Sequence, residues 1–316
     1  MKNIKTLLLG VFVLSLSSCL KEGRMNTDPT FASNVVELAN TGDNATTSGI
    51  QGYYSDLGSV AAGKSKTFNI NVHRTGPGNA TKDVVVTLGL SQASLNTYNT
   101  KNGKNLTIPP TSVISFPTSV TIKAGTNQTT VEGIVTVSPE FNFNAAYGVP
   151  LKITAVSTGE TISGNYSDAI YSFGVRNIYD GAYTGTGTMV DAANSGITGR
   201  YPLNAGLVTS GANTVRLLDY AIGGIFHSIL SGGSTSYYGS FGVEFTIDAS
   251  NKITSVVNVY GQPASNGRSA ELDPSGVNTW DPSSKTLKVK YWMNQPSVIA
   301  GHRVAFDEVY TYKGVR

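Results

Sequence analysis

The feature that most constrains the fold is a period-two alternation of apolar and polar residues, repeated in short segments along most of the chain. The segment 67–72 alternates in this way, and so does the segment 168–175. Successive side chains of a β-strand point to opposite faces, so this spacing predicts half-buried strands. No segment carries apolar residues at helical spacing over three turns, and we expect little helix. The sequence therefore predicts an all-β protein.

The strand-like segments fall into two groups, which fits the two-domain expectation for 316 residues. Six or more short strands in residues 35–175 predict a β-sandwich. Residues 177–316 contain eight further strands, which favour an antiparallel up-and-down β-barrel or half-barrel. Those eight are predicted at 183–190, 200–208, 214–220, 222–230, 239–247, 252–260, 285–293 and 302–312. The boundary is expected to be exposed backbone between residues 174 and 181.

The composition excludes disorder and gives no reason to expect a strongly charged partner. The chain has 35 Gly and 16 Tyr, and only 14% of its residues are charged, a balance typical of many short strands and turns. Its 23 basic and 20 acidic residues nearly cancel, and loss of a leader containing Lys2 and Lys5 would bring them closer. A near-neutral protein has no electrostatic basis for binding nucleic acid, so we expect none.

The single cysteine, Cys19, follows a segment laid out like a secretory signal. Lys2 and Lys5 form a basic start, residues 7–14 are apolar, and Ser-Leu-Ser-Ser precedes the cysteine. The apolar run is much shorter than the roughly 20 residues that span a bilayer. We interpret residues 1–18 as a signal peptide and residues 19–34, which show no periodicity, as a flexible tether.

The segment 16–19, Leu-Ser-Ser-Cys, resembles the lipobox of bacterial lipoproteins. In that family the cysteine is lipidated on its sulfur and becomes the new N-terminus after cleavage. The resemblance implies a lipid anchor at Cys19 and a place in the outer membrane, at the cell surface. The alternative is an ordinary signal peptide with an incidental cysteine. With Cys19 lipidated, no thiol remains for a disulfide, so both domains must be stabilised by core burial.

Four segments of the first half together resemble a known domain family. They are residues 95–99, 108–110, 120–125 and 147–153, which read Leu-Asn-Thr-Tyr-Asn, Ile-Pro-Pro, Val-Thr-Ile-Lys-Ala-Gly and Tyr-Gly-Val-Pro-Leu-Lys-Ile. The family is the immunoglobulin-like N-terminal domain of unknown function in lipoproteins of gut Bacteroidetes, often encoded beside polysaccharide-utilisation genes. The resemblance covers about residues 33–175. It implies an immunoglobulin-like sandwich and an envelope location, and it brings no catalytic residues.

Two segments of the second half resemble the C-terminal domains of the same lipoproteins. One is the opening segment 180–183, Asp-Gly-Ala-Tyr, and the other is the closing segment 280–287, which begins Trp-Asp-Pro-Ser. These C-terminal domains are calycin-like. The resemblance therefore implies a calycin-like antiparallel β-barrel or half-barrel.

The segment 58–65, Gly-Ser-Val-Ala-Ala-Gly-Lys-Ser, matches the Walker A phosphate-binding pattern. A phosphate cradle needs a strand before the loop and a helix after it, so that free backbone amides face the phosphates. The residues that follow, 66–72, alternate as a strand. We therefore interpret the segment as a turn between strands and expect no nucleotide or other cofactor.

The residue types of common catalytic and metal sites are present but scattered. His73, His227 and His302 are isolated, with no carboxylate at ligand spacing. A zinc site needs three or four convergent ligands, so we predict no metal site and expect core or solvated histidines. A Gly-x-Ser-x-Gly nucleophile motif is absent from the sequence. No catalytic residue is assigned, and the protein is predicted not to be an enzyme.

Glu308 is the one carboxylate predicted to point into the barrel, because it shares a strand face with Val304 and Tyr310. An inward glutamate can act as a general acid or base with a raised pKa, as a glycan hydrolase would require. A structural ion pair with Arg303 or Arg216 is the favoured alternative.

The aromatic residues of the second half are the main functional indication. Sugars present C–H faces that stack on aromatic rings, while amides and carboxylates bind the hydroxyls. Tyr237 and Tyr238 lie in a Gly/Ser-rich segment, Trp280 lies in a predicted turn, and Trp292 shares a strand face with two lysines. We name these four as candidate glycan-binding residues. The alternative is that they cover barrel ends or the seam between the domains.

The sequence thus predicts a non-catalytic outer-membrane lipoprotein that binds a polysaccharide or oligosaccharide, or helps a partner to do so. The first alternative is a structural or adhesive subunit that binds other envelope proteins, and the second is a glycan hydrolase. Aromatic residues lining a concave site would favour glycan binding, whereas a flat apolar patch or an unpaired sheet edge would favour protein binding.

Overall fold

A computed structural model describes residues 34–38, 49–157 and 159–316. The signal peptide, Cys19 and all of the tether except its last residue lie outside these ranges. Almost all of the described regular structure is β-strand, so the all-β prediction is confirmed. No helix in the described ranges is long and apolar enough to cross a membrane.

Residues 34–176 contain two five-stranded sheets. The first sheet contains β1 (Val35–Leu38), β3 (Ser65–Thr75), β5 (Ile114–Ser115), β7 (Gln128–Thr136) and β9 (Thr161–Ile162). The second contains β2 (Gln51–Ser59), β4 (Val84–Leu90), β6 (Ser119–Ile122), β8 (Gly148–Val156) and β10 (Asp168–Arg176). The strand orders are β5-β7-β3-β1-β9 and β2-β10-β8-β4-β6, so β2 is an edge strand.

The core of the sandwich lies between the two sheets, where the apolar faces of the strands meet. Phe68, Ile70 and Val72 of β3 are buried, and the residues between them are exposed or half-buried. Val149 and Tyr171 of the second sheet belong to the same buried cluster. The period-two prediction for β3 is therefore confirmed.

A single helix among the described residues, α1 (Gln92–Asn102), packs against β8 and β10. The Ser91 side chain caps its start by accepting a hydrogen bond of 3.2 Å from Ser94 N, and Gly103, with φ of 60°, ends it. Only Ser94 and Leu95 of the helix are buried. The sequence analysis did not place a helix here, because so narrow a contact leaves no apolar stripe to read.

The second domain is a barrel of eight antiparallel strands that follow one another along the chain. They are β11 (Gly181–Asp191), β13 (Leu203–Thr209), β14 (Thr214–Asp219), β17 (Val243–Ile247), β18 (Ile253–Asn258), β20 (Thr279–Asp281), β21 (Thr286–Asn294) and β22 (His302–Gly314). β22 returns to pair with β11. The Lys252–Thr279 bridge and a hydrogen bond of 3.0 Å from Ile253 N to Asn278 O join β18 to β20, which closes the ring.

Four short strands lie outside this ring. β12 (Ile197–Gly199), β15 (Ser228–Ser231) and β16 (Ser234–Tyr237) form a ladder that branches from β11, and β19 (Ser269–Leu272) pairs with β21. The strand predicted at 222–230 is therefore wrong for most of its length. A turn closed by the hydrogen bond of 2.8 Å from Gly223 N to Asp219 O occupies the start of that segment.

Side chains fill the interior of the barrel. Tyr183, Phe245, Tyr291 and Phe306 are fully buried there, and the ring centroids of Tyr291 and Phe306 are 4.6 Å apart. An eight-stranded barrel is just wide enough to be filled in this way. The interior is therefore a packed core.

The segment that links the two domains, residues 177–180, is hydrogen-bonded to the barrel. The Asn177 side-chain amide donates hydrogen bonds to Gly211 O at 3.0 Å and to Thr214 O at 2.8 Å. Asn177, Tyr179 and Asp180 are all buried. The expectation of an exposed linker between residues 174 and 181 is therefore wrong for these three residues.

The Walker-like segment 58–65 is a turn between β2 and β3, as the sequence analysis expected. Gly58 N donates to Asp56 Oδ1 at 2.9 Å, and Gly63 N donates to Val137 O at 2.7 Å. These amides are therefore engaged within the protein, and a strand follows them where a phosphate cradle would need a helix.

Candidate functional site

A cavity of about 400 Å³ with an aromatic lining opens beside β2, at the edge of the second sheet of the sandwich. This volume is within the range of small-molecule sites. Five of its lining residues are aromatic, and they come from β2, α1, β10 and the residue before β8. They are Tyr53, Tyr54, Tyr98, Tyr147 and Phe173. We call this site the tyrosine cavity.

The edge strand β2 places two neighbouring tyrosines on opposite faces of the sheet. Tyr53 packs against the core residue Tyr171, with ring centroids 5.2 Å apart. Tyr54 points outward and is 69% exposed. Its parallel partner on β10 is Ser172, which also lines the cavity.

Two glycines let tyrosine side chains lie directly on the sheet. A Cβ atom at Gly52 would clash with Tyr98 Oη, and one at Gly174 would clash with Tyr54 Oη. Glycine is thus required at both positions for the phenol groups to rest on bare backbone. The two glycines thereby leave room for the phenol groups at these positions.

The loop after α1 is held in place by one asparagine. The Asn99 side chain donates a hydrogen bond of 2.8 Å to Leu106 O and accepts one of 3.1 Å from Leu106 N. Thr107 then pairs with Tyr147, the residue before β8, since Thr107 N donates to Ala146 O at 2.9 Å and Gly148 N donates to Thr107 O at 2.9 Å. These hydrogen bonds order the backbone of the rim that carries Lys104 and Leu106.

The lining of the tyrosine cavity has an amphipathic character. Its lining combines apolar ring faces with a few hydroxyl groups, which suits a ligand that has both C–H faces and hydroxyls. None of the described residues that line it is a carboxylate. In the described parts of the chain, no group of three His, Cys, Asp or Glu side chains is placed to hold a metal ion.

This site is not among those predicted from the sequence, which carries only weak signals for it. Tyr53 and Tyr54 directly follow Gly52, and Tyr98 lies in one of the segments quoted for the family resemblance. The cavity forms only when β2 lies beside β10 and α1 crosses above them. Those contacts join residues far apart in the sequence, so residue spacing alone could not reveal them.

Two of the four candidate glycan-binding residues are in the barrel interior. Trp280 is 3% exposed and packs edge-to-face on Tyr179, with ring centroids 5.3 Å apart. Tyr238 is buried, donates a hydrogen bond of 2.6 Å to Asp191 Oδ2 and lies against the Arg303 guanidinium. Their selection as candidate glycan-binding residues is therefore corrected, since neither Trp280 nor Tyr238 is available to a ligand at the surface.

The other two candidates are at the surface, in separate aromatic groups. Tyr237 is 45% exposed and contacts Phe226, whose ring stacks on that of Tyr260 with centroids 5.3 Å apart. We call Phe226, Tyr237 and Tyr260 the barrel aromatic cluster. Trp292 is half-buried and stacks on His302, with centroids 3.7 Å apart and planes 9° apart.

The half-buried position of Trp292 gives a test of its role in stability. Trp292→Ala is expected to lower the free energy of unfolding by well under the roughly 3–5 kcal/mol typical of emptying a core tryptophan site, because the ring lies on the outer face of β21. Urea titration followed by circular dichroism measures this loss. A loss as large as that of a core tryptophan would show that the Trp292–His302 stack supports the barrel.

Glu308 points into the barrel as predicted, but its partner is not an arginine. His227 Nε2 lies 2.5 Å from Glu308 Oε1, and Tyr201 donates a hydrogen bond of 2.6 Å to the same oxygen. Tyr291 and Tyr310 donate to Oε2 at 3.0 and 2.7 Å. The proposed partners are engaged elsewhere, since Arg303 pairs with Asp191 and Arg216 pairs with Glu244.

The environment of this pair favours its charged state. Burial by itself raises the pKa of Glu308, but the charge and hydrogen bond of His227 and the hydrogen bond from Tyr201 outweigh it and lower the pKa. Burial likewise lowers the pKa of His227, and the Glu308 carboxylate reverses the shift and raises it. The raised carboxyl pKa considered for a catalytic acid is therefore wrong. Both side chains are also fully closed to solvent.

Comparison with known proteins agrees with the fold. A family model described as "-like, N-terminal domain" matches residues 39–160, inside the region 33–175 whose motifs resemble a lipoprotein N-terminal domain. No curated protein matches the chain.

Solved structures of Bacteroides ovatus proteins are similar over most of the chain. One protein of unknown function aligns at a TM-score of 0.56 and 12% identity, covering 90% of this chain and 96% of its own. A second, also of unknown function, aligns at 0.47 and 10% identity, with 88% and 93% covered. A multidomain protein aligns at 0.44 and 10% identity, with 88% and 92% covered. The first of these shows that the chain shares an all-β fold with a protein of known structure.

Proposed function

We propose that the protein is a non-catalytic glycan-binding lipoprotein whose ligand site is the tyrosine cavity. The observation that carries the proposal is the concave aromatic lining, with Tyr54 and Tyr98 resting on the glycine positions of β2 and β10. The C–H faces of a sugar ring stack on such aromatic surfaces, and hydroxyl groups at the rim bind its hydroxyls. The cavity thus has the concave aromatic form that favours a glycan over a flat protein surface.

The absence of catalytic groups at this cavity supports a binding role. Glycoside hydrolysis needs two carboxyl groups on either side of the scissile bond. The described lining residues supply none, and the carboxylate of Glu308 is closed to solvent inside the other domain.

The test is binding of residues 20–316 to a polysaccharide panel by affinity electrophoresis, followed by titration calorimetry. Tyr54→Ala and Tyr98→Ala are each expected to weaken binding by about 1–3 kcal/mol, roughly 5- to 150-fold, because each removes a central stacking surface. Tyr260→Ala is the matched control, since Tyr260 is 43% exposed in the barrel aromatic cluster. Loss of binding in Tyr260→Ala, with Tyr54→Ala and Tyr98→Ala unaffected, would move the site to the barrel and contradict the proposal.

Binding of another envelope protein is the second candidate function. It is favoured by the barrel aromatic cluster, where Tyr237 and Tyr260 are 45% and 43% exposed and each contacts the Phe226 ring. This cluster and the tyrosine cavity lie in different domains. The two functions are therefore compatible in one chain.

The location belongs to the same proposal. Lipid on Cys19 would hold the protein at the outer membrane, and the segment 20–34 would space the sandwich from the lipid surface. A lipid-anchored protein at the cell surface meets polysaccharides before they enter the cell. This support comes from the sequence of the N-terminal segment.

A further inference from the structure

We infer that the tyrosine cavity takes an anionic sugar residue, a uronate or a sulfated sugar, and that Lys104 supplies the positive charge for it. The inference rests on the proposed function and names the class of glycan. It follows from the charges around the cavity and from the way the rim is built.

Lys104 is the only charged residue among the described residues that line the cavity. Its side chain is exposed, and it forms no ion pair with any described carboxylate. The described lining therefore carries one basic side chain and no acidic one. An anionic group entering the cavity would meet this charge with no carboxylate on the lining to repel it.

Two carboxylates on the same outer face of β2 and β10 each have a cationic partner. Asp56, two residues beyond Tyr54, pairs with Arg176 at 3.0 Å. Asp168, at the start of β10, accepts a hydrogen bond of 2.9 Å from Ser94 and pairs with Lys152 at 3.4 Å. Neither is left to compete for the Lys104 ammonium.

The end of α1 adds a negative partial charge close to this rim, but the positive charge of a second lysine offsets it. A helix C-terminus carries about half a negative charge, which a cation in the last turn offsets. Lys101 occupies that last turn, and Lys104 follows the capping glycine, Gly103. Lys101 does not line the cavity. The charge of Lys104 is therefore the one available to a ligand.

The backbone of Lys104 is fixed although its side chain is exposed. Lys104 N donates a hydrogen bond of 3.0 Å to Asn99 O, and the Asn99 side chain holds Leu106 two residues later. A rim that is already ordered loses little conformational freedom when the ammonium contacts an anion. The entropic cost of the contact is therefore confined to the Lys104 side chain.

The experiment measures binding of residues 20–316, which include every described residue, to matched acidic and neutral glycans by titration calorimetry near pH 7. The pairs are oligogalacturonate with its methyl ester, and dextran sulfate with dextran. We expect the acidic member of at least one pair to bind about 10-fold more tightly, near the lower end of the range for a charge-assisted hydrogen bond, because the ammonium is exposed. The galacturonate pair reports a carboxylate and the dextran pair reports a sulfate.

Lys104→Met is expected to remove this preference by weakening the acidic member of a pair more than the neutral member, because methionine keeps the apolar stem and removes only the ammonium group. Lys101→Met is the matched control and should retain the preference. In about 1 M salt, where the Debye length is about 3 Å, the preference of the wild type should fall to the level that Lys104→Met shows. A preference that survives in Lys104→Met, or equal affinity for both members of each pair, overturns the inference.

Tyr54→Ala distinguishes failure of this inference from failure of the proposed function. If neutral and acidic glycans lose affinity together in Tyr54→Ala while Lys104→Met has no effect, the cavity binds glycan and only the anionic specificity is wrong. If no glycan of a broad panel binds, or Tyr54→Ala leaves all binding unchanged, the proposed function is wrong and the inference falls with it.

Discussion

Glu308→Ala is expected to lower the free energy of unfolding by about 3–5 kcal/mol, the usual cost of removing one member of a buried ion pair. The substitution leaves the buried imidazole of His227 without its partner, and it also removes the acceptor for three tyrosine hydroxyls. Each unpaired buried polar group adds to the loss. Urea titration followed by tryptophan fluorescence measures it, since Trp280 lies in the barrel core.

Glu244→Ala is the matched control, because it removes the same residue type from a partly exposed pair. Glu244 lies 2.8 Å from Arg216, whose side chain is 42% exposed. Exposed pairs contribute about 0.2–1 kcal/mol, so this variant should lose no more than that. A Glu308→Ala loss no greater than that of Glu244→Ala would mean that the buried pair contributes nothing net to stability.

The free energy of unfolding should depend on pH through the Glu308–His227 pair. The pKa of Glu308 is lowered below its ordinary 4.5, so its contribution is present above 4.5 and is lost as the pH falls through the folded value. The pKa of His227 is raised above its ordinary 6.5, so its contribution is present below 6.5 and is lost as the pH rises through the folded value. The pair should therefore stabilise most between pH 4.5 and 6.5.

The inward position of Glu308 could be predicted, whereas its partner could not. Alternation along β22 places Val304, Phe306, Glu308 and Tyr310 on one face, and the structure buries all four. His227 precedes the short strand β15, 81 residues before Glu308 in the chain. Their contact depends on how the side ladder folds over the barrel, and local patterns carry no information about that.

The two corrected candidates show a limit of inferring exposure from neighbouring residues. Trp280 is surrounded by polar turn residues, yet it belongs to β20, and a strand of three residues still sends its central side chain inward. Tyr237 and Tyr238 have the same neighbours, but adjacent residues of an extended chain point to opposite sides. One tyrosine is therefore exposed and the other is buried.

The helix that positions Tyr98 also could not be predicted from the periodicity of apolar residues. α1 has polar residues on every side, so an apolar stripe could not indicate it. Its ends carried the usable signals, since Ser91 is a good N-cap residue and Gly103 a good C-terminal residue. The tyrosine cavity thus depends on an element that tertiary contacts stabilise and that the hydrophobic pattern does not encode.

Cys19→Ala is expected to abolish fatty-acid attachment and release the protein from the membrane. The lipobox resemblance of residues 16–19 places a diacyl group on this sulfur, and each buried CH₂ contributes about 0.8 kcal/mol to membrane binding. Two acyl chains hold a protein stably on a membrane. A near-neutral polypeptide that carries no acyl chain has no anchor. Incorporation of an alkyne-labelled fatty acid, together with detergent phase separation, measures the effect.

Ser18→Ala is the matched control, because it keeps a small residue before the cysteine and should still be labelled and retained in the detergent phase. Fatty-acid labelling reads the attachment itself, so it does not depend on whether the apolar segment 7–14 of a variant is removed. That segment is far shorter than the roughly 20 residues needed to span a bilayer. Labelling that persists in Cys19→Ala would place the lipid elsewhere, since Cys19 is the only cysteine of the chain, and the anchor would then have to be a different chemical group.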